Sequence, residues 1–427
     1  MQLLILFVVL LILLAIFYYT SGGYFIAPTV VYCAMYTFAI CVCLCSHNWI
    51  FYPSELTIVV IITGIVFWGI LQPVAKRMMF SEIMDLPKYN YRQKRNSSYV
   101  IEIISIFCLI LYASFIIKIG GGMSVSIIQN ARTWLLYNSP PNIYGHAMLF
   151  SRAAGCVFVF LIAKKKIIDE VKIRVTDVVP VVSYVLMEII STSRSGIIYF
   201  LGYFVVCVSM IRYKKNDGKI RASKEIKKII IRVTGIILVS FVGLGYLTGK
   251  TKKLGIFNMV SVYFGGSIYD LNFYLDHINE FQSPGLGYFT MPIVNSIKSA
   301  LGISYPLLDE FYLPFVPVQL KVQTGFQTAS NLYTSLTKPI LDYGMIGSTF
   351  FWIILGSFYL FLFYHVLNRR SVGMGIILYA YSMMPVFCAS SEYVFGSFLF
   401  SPSAIYSLIY LYFIFRFCTN KTLIKTN

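Results

Sequence analysis

Three arginines stand in or beside long apolar segments, where charged side chains are costly and usually functional. Arg132 follows a glycine-rich stretch, Arg152 falls inside an apolar segment, and Arg194 lies in a short connection between two others. Guanidinium groups bind phosphate and carboxylate oxygens through paired hydrogen bonds. If the three converge, they form a site for an anionic ligand. The alternative for Arg152 is a buried ion pair with Glu188 that holds two helices together.

Several side chains that can accept a proton follow later in the chain. Carboxylates and histidines are the usual general bases, and the candidates here are Asp270, Asp276, His277, Asp342 and Glu392. The sequence does not rank them. For Asp342, capping of its own helix start is an equally weighted interpretation.

Neutral polar side chains accompany these candidates. Asn331, Tyr333 and Thr334 combine donors, acceptors and an aromatic face, a mixture suited to sugar hydroxyls. The chain contains no Asp-X-Asp pair, which soluble glycosyltransferases use to hold a metal and a nucleotide, and no paired-histidine motif. We therefore expect neither a metal nor a cofactor.

The elements that must position these residues are membrane-spanning helices. Hydrophobic residues make up 58% of the 427 residues and charged residues 12%, against about 45–50% and about 25% in soluble domains. A span needs about 20 mostly apolar residues, and the sequence predicts eleven. They cover residues 2–19, 24–45, 56–75, 100–118, 144–163, 175–191, 195–211, 232–248, 340–364, 372–389 and 396–415. The expected fold is an all-α integral membrane protein forming one polytopic domain over residues 1–427.

The net charge of +18 predicts the topology. Of the 35 Lys and Arg residues, 25 fall in alternate connections, namely residues 76–98, 164–174, 212–232, 369–370 and the C-terminal tail. Because positive charge marks the cytoplasmic side, the C-terminus is expected inside and, with eleven spans, the N-terminus outside. The same distribution argues against nucleic-acid binding.

The longest connection, residues 249–336, is expected on the outer side. It holds equal numbers of lysines and acidic residues, and a structureless loop of this length is uncommon unless it is functional. Residues 256–281 read as an amphipathic helix with an aromatic face. Anchoring of those rings in the lipid interface is an equally weighted interpretation.

In the order of its motifs along the chain and in their predicted side of the membrane, the sequence resembles the Wzy-type O-antigen and capsule repeat-unit polymerases. The resemblance rests on Arg132 after the glycine-rich loop and on the Ser-Thr-Ser-Arg-Ser-Gly turn at Arg194. It rests also on Tyr-Phe-Gly-Gly-Ser-Ile-Tyr-Asp at residues 263–270 and on Asn331-X-Tyr-Thr followed by Asp342-Tyr-Gly-X-X-Gly. It covers essentially the whole chain. It implies a membrane glycosyltransferase of the C type with a large outer loop.

The resemblance also implies the reaction and its partners. A glycan on undecaprenyl diphosphate is transferred to a lipid-linked repeat unit outside the bacterial cytoplasmic membrane, with a chain-length regulator protein as a further partner. The arginines would bind diphosphate, without a metal. Related O-antigen ligases share the architecture, and the resemblance suggests His277 as a candidate counterpart of their catalytic outer-loop histidine, without a secure alignment. A ligase that passes glycan to another acceptor is the first alternative. A flippase for lipid-linked oligosaccharides is the second, although the chain shows no internal repeat typical of transporters.

Overall fold

A computed structural model of the protein describes residues 1–45, 53–81, 89–121, 127–138, 140–216, 235, 243, 256–278, 280–281, 283, 285–303, 316–319, 327–330, 333–368 and 371–423. Within these residues the chain is mostly helical. Seven helices are long and apolar enough to cross a membrane, which agrees with the predicted all-α membrane protein. Each of the seven coincides with one predicted span.

None of the other four predicted spans coincides with one of these seven long helices. Residues 175–191 contain a short helix, Val179–Ile190, which rises about 18 Å against a hydrocarbon core of about 30 Å. Two shorter apolar helices, Met374–Cys388 and Pro402–Cys418, occupy the last two predicted spans. Residues 232–248 lie outside the described residues except at positions 235 and 243. The count of eleven stays a prediction.

The elements have the following bounds in chain order. The helices are α1 (Gln2–Thr20), α2 (Pro28–Cys45), α3 (Glu55–Gly69), α4 (Gln72–Ser81), α5 (Arg95–Ile119), α6 (Ile127–Tyr137), α7 (Asn142–Lys164), α8 (Val179–Ile190), α9 (Arg194–Lys215), α10 (Ile256–Asp276), α11 (Pro292–Ala300), α12 (Thr337–Asn368), α13 (Met374–Ser382), α14 (Phe395–Leu399) and α15 (Pro402–Cys418). The strands are β1 (Tyr89–Gln93), β2 (Val316–Gln319), β3 (Gln327–Ser330) and β4 (Thr419–Leu423). Two antiparallel pairs form, β1 with β4 and β2 with β3.

The chain divides into two compact units. The first unit comprises Met1–Glu82, Leu254–His365 and Pro385–Ala404, and the second comprises Ile83–Lys253, Val366–Met384 and Ile405–Asn427. Each unit contains some of the residues that the sequence predicts to bind substrate or to act in catalysis.

Aromatic packing in the first unit holds the start of α12 against α2. The rings of Tyr32 and Trp68 stack with centroids 4.1 Å apart. The hydroxyls of Tyr32 and Tyr36 hydrogen-bond the Ser335 hydroxyl at 2.8 and 2.9 Å, and the Ser335 amide donates to the Ala389 carbonyl at 2.7 Å. Buried polar groups need such partners, so these bonds position the residues that follow Ser335.

Helix α10 lies within the segment predicted to be an amphipathic helix. It packs on α2 and α3 and buries Ser267, Asp270 and Tyr274. Phe257, at its beginning, is exposed. The aromatic residues of this helix therefore contribute to protein packing as well as to its surface.

Packing in the second unit joins α5, α7 and α8, with α9 against α7 and α13. The Asp177 carboxylate is buried just before α8. It accepts hydrogen bonds from Lys165 at 2.7 Å, from Arg174 at 2.7 Å and from Gln93 on β1 at 3.1 Å. A buried charge is tolerated when it is paired in this way, and the bonds tie β1 to the start of α8.

Candidate functional site

The first unit holds a lysine between two tyrosine rings. The Nζ atom of Lys338 lies 5.6 Å from the ring centroid of Tyr333 and 5.6 Å from that of Tyr393, within the range of a cation–π interaction. Glu392 and Asp342 are carboxylates that attract the same ammonium group. We name these five residues the lysine cluster.

The lysine cluster follows a turn that is held by the Thr334 side chain. The Thr334 hydroxyl accepts a hydrogen bond from the Leu336 amide at 3.3 Å and bonds the Thr337 hydroxyl at 3.1 Å. These bonds form a side-chain turn immediately before α12. Thr334 is fully buried, so the structure places this predicted sugar ligand within that turn. Asn331 lies outside the described residues.

Asp342 is held by a segment more than fifty residues earlier in the chain. Its carboxylate accepts hydrogen bonds from the Phe289 amide at 3.0 and 3.1 Å. It also accepts from the amide and the hydroxyl of Thr290, each at 2.7 Å. The predicted alternative was a cap on its own helix, whereas the observed donors belong to another loop. A carboxylate with this many donors orders that loop.

Tyrosine hydroxyls extend this network toward the lysine cluster. The Thr290 hydroxyl bonds the Tyr343 hydroxyl at 2.7 Å, and the Tyr393 hydroxyl donates to the Thr290 carbonyl at 3.1 Å. Directly after Tyr343, Gly344 has φ of 66° and ψ of −175°, which breaks α12 into two helical parts. A residue with a side chain rarely adopts this backbone conformation, so the break depends on glycine.

The end of α10 carries three further candidates with different surroundings. Asp270 is fully buried. Asp276 is exposed and accepts a hydrogen bond from the Asn272 side chain at 2.8 Å. The Asn272 side-chain oxygen in turn accepts from the Ser54 amide at 2.7 Å. Asp276 thus contacts a side chain that holds the residue before α3.

His277 has a defined ring orientation. Its Nδ1 lies 2.9 Å from the Phe273 carbonyl oxygen, and its ring stacks on that of Phe273 with centroids 4.4 Å apart. Because a carbonyl only accepts, Nδ1 carries the proton and Nε2 is the acceptor in the neutral ring. The half-buried imidazole therefore offers one basic nitrogen in a fixed position.

An aromatic group connects this histidine turn to the lysine cluster. The ring of Tyr274 lies 5.8 Å from that of Tyr333 and 5.1 Å from that of Phe281. Burial raises the pKa of the Tyr274 hydroxyl to about 12, so at neutral pH this hydroxyl keeps its proton. A series of ring contacts therefore runs from Lys338 through Tyr333, Tyr274 and Phe273 to His277.

The three arginines belong to the second unit. A guanidinium nitrogen of Arg152 lies 3.7 Å from the Glu188 carboxylate, and its Nε donates to the Tyr184 hydroxyl at 3.1 Å. The ion pair between Arg152 and Glu188, one of the two predicted interpretations, is therefore present. A Cβ at Gly196 would overlap the Glu188 carboxylate, so α9 approaches this pair only because residue 196 is glycine.

The other two arginines have different positions. Arg132 is half-buried on α6, and Arg194 is the first residue of α9. The Arg194 side chain lies outside the described residues. The turn before Arg194 lies within the described residues. In this turn Thr192 has a φ of 57°, and the Ser193 hydroxyl caps α9 by accepting from the Gly196 amide at 3.1 Å.

Sequence reasoning did not select Lys338 or Tyr393 as site residues. One signal in the sequence could have identified Lys338. Lysines are few on the predicted outer side, and this one comes four residues after Thr334. Tyr393 carries no comparable signal, because its position depends on long-range packing. Among the described residues, no group of three or more His, Cys, Asp and Glu side chains is placed to hold a metal ion.

No protein-family model matches the chain, and neither a curated protein nor a solved structure shows significant similarity to it.

Proposed function

We propose that the protein is a membrane-embedded repeat-unit polymerase of the glycosyltransferase class. It transfers a polyprenyl-diphosphate-linked glycan onto a lipid-linked repeat unit at the outer face of a bacterial cytoplasmic membrane, where a chain-length regulator protein is a further partner. The observation that carries the proposal is the series of aromatic contacts between Lys338 and His277. Tyr333 and Phe273 are half-buried, and aromatic rings beside a few polar groups suit a sugar ligand, so Tyr333 is the ring proposed to contact it.

His277 is the proposed general base. Its Nε2 takes the proton of an acceptor hydroxyl, and the oxygen forms a bond to the anomeric carbon of the donor sugar. The bond from that carbon to the diphosphate oxygen breaks, and the diphosphate leaves with the electron pair. The Phe273 carbonyl supports this role because it accepts from Nδ1–H and stabilises the protonated ring. Asp342, saturated with donors, is a positioning residue.

Arg132, Arg152 and Arg194 are the proposed diphosphate ligands. Guanidinium groups match phosphate oxygens, and positive charge placed near a leaving diphosphate stabilises it. This role needs neither a metal nor a cofactor. The Arg152 ion pair with Glu188 orients that guanidinium group before substrate arrives.

The test uses purified protein in detergent with synthetic lipid-diphosphate repeat units. Products are separated on a gel, where a ladder of repeat multiples is the expected result. His277→Gln should abolish the ladder, while His146→Gln, on α7 in the second unit, should preserve it. Transfer of one unit to a different acceptor would identify a ligase. Wild-type protein that makes no product but moves the lipid across vesicles would identify a transporter.

Lys338 allows a second test of the same group of residues. The guanidinium of Lys338→Arg retains a cation between the rings, whereas Lys338→Met removes it. Because Lys338 acts through Tyr333 and the neighbouring carboxylates, we expect Lys338→Met to raise KM more than it lowers kcat, and Lys338→Arg to restore KM. Equal kinetics for the wild type and Lys338→Met would remove the lysine cluster from the site.

A further inference from the structure

The second unit contains a basic cavity whose lining includes none of the three arginines discussed above. Its volume is about 470 Å³, and it is lined by Lys94, Phe413, Arg416, Phe417, Thr419, Asn420 and Lys421. Three of these seven side chains are cationic and none of the seven is acidic. The lining residues come from the residue before α5, the last turns of α15 and strand β4.

Backbone pairing holds these three segments together. The Lys94 amide donates to the Cys418 carbonyl at 2.8 Å, and β4 pairs with β1 so that Lys421 lies opposite Tyr91. The cations are therefore held around the end of an apolar helix by the main chain. This end belongs to the side that the positive-charge distribution predicts to be cytoplasmic.

The cavity also has an apolar wall. Phe413 is 63% exposed and Phe417 is 47% exposed, and they lie one turn apart on α15, which is otherwise rich in apolar residues. A free phosphate would use only the cations. A phospholipid would use both features, with its phosphate at the cations and its acyl chain along the rings.

We infer that this cavity binds the phosphate-bearing head group of an anionic phospholipid. Arg416 is exposed in the last turn of α15, where a cation also opposes the helix dipole, and Lys421 is exposed on β4. The helix dipole accounts for the charge of Arg416 but not for the cavity formed with Lys94 and Lys421 or for the two exposed rings beside it. The inference is independent of the proposed enzymatic function.

The test measures lipid retained by the full-length protein. Protein in nanodiscs of phosphatidylcholine with phosphatidylglycerol is extracted mildly, and bound phosphatidylglycerol is counted by native mass spectrometry. We expect Arg416→Gln/Lys421→Gln to weaken retention by roughly tenfold or more, since each cation near a lipid surface contributes about a factor of five. The matched control, Lys166→Gln/Lys172→Gln, removes two exposed cations from another predicted cytoplasmic connection and should retain lipid like the wild type.

Three outcomes would overturn the inference. Equal loss in both double variants would show a general effect of surface charge. Unchanged retention in Arg416→Gln/Lys421→Gln would show that the cavity does not hold the lipid. Displacement of the lipid by an equal concentration of glycerol phosphate would show that the site binds a soluble phosphate without using the rings.

Discussion

Thr290 donates two hydrogen bonds to one carboxylate oxygen of Asp342, from its backbone amide and from its hydroxyl, each at 2.7 Å. Asp342 lies on α12 and Thr290 in the loop before α11, so this contact closes a chain segment of 52 residues. The Thr290 carbonyl and hydroxyl continue to Tyr393 and Tyr343. One carboxylate therefore orders the loop against which the lysine cluster is built.

We predict that Asp342→Asn destabilises the protein by about 3 kcal/mol, because hydrogen bonds to a charged acceptor contribute about 1.5–3 kcal/mol and the amide presents only one acceptor oxygen. Thermal unfolding in detergent, followed by circular dichroism, measures the effect. Asp276→Asn changes an exposed carboxylate and should alter stability by less than about 0.5 kcal/mol. Similar unfolding temperatures for the two variants would contradict the role of Asp342.

Gly344→Ala tests the break in α12. A Cβ at Gly344 would meet no atom within 4 Å, so the cost comes only from its positive φ and should be about 1–3 kcal/mol. Gly145→Ala is the matched control, since its Cβ would also meet no atom within 4 Å and Gly145 is helical. Alanine there should stabilise by up to about 1 kcal/mol. Thermal unfolding that shifts both variants in the same direction would refute the conformational argument.

Variants of the Arg152–Glu188 pair distinguish a packing role of Arg152 from a ligand-binding role. Arg152→Met leaves a buried carboxylate uncompensated and should cost about 3–5 kcal/mol, whereas Arg152→Met/Glu188→Met should recover most of that stability. If Arg152 also binds diphosphate, the double variant will fold and yet fail to extend glycan. Full extension by the stable double variant would show that the pair only holds the helices together.

Asp177 predicts a pH dependence of stability. Burial alone raises the pKa of Asp177, but hydrogen bonds from Arg174, Lys165 and Gln93 outweigh it and lower the pKa from 3.8 to about 2. The unfolded-state pKa is about 3.9. The ionised carboxylate therefore stabilises the fold above about pH 4, and this contribution is lost as the pH falls toward 2.

The measurement is the unfolding temperature from neutral to acidic pH. Asp177→Asn should unfold at a lower temperature at neutral pH and should lose less stability than the wild type between about pH 4 and pH 2. The exposed Glu170, paired with Lys215, provides the control Glu170→Gln, which should follow the wild-type curve. A curve for Asp177→Asn parallel to the wild type would exclude Asp177 as the source.

Much of the helical architecture was predictable from the sequence. Seven predicted spans coincide with apolar helices of the structure, because long apolar runs have few alternatives to a helix in a membrane. Local caps are also visible in the sequence, as with Ser54 before α3 and Ser193 before α9. The short helix Val179–Ile190 shows the limit of this reasoning, since hydropathy does not locate the residue at which a helix begins.

The sequence by itself determined which segments are apolar helices, where positive charge concentrates and which residue types are available for chemistry. Only the tertiary structure decided that Lys338 lies between Tyr333 and Tyr393, that Asp342 binds the loop at Thr290, and that Arg152 pairs with Glu188. The physical reason is the range of the interactions. Hydropathy and capping act over a few neighbouring residues, whereas these contacts join side chains about five to fifty residues apart and depend on how whole helices pack.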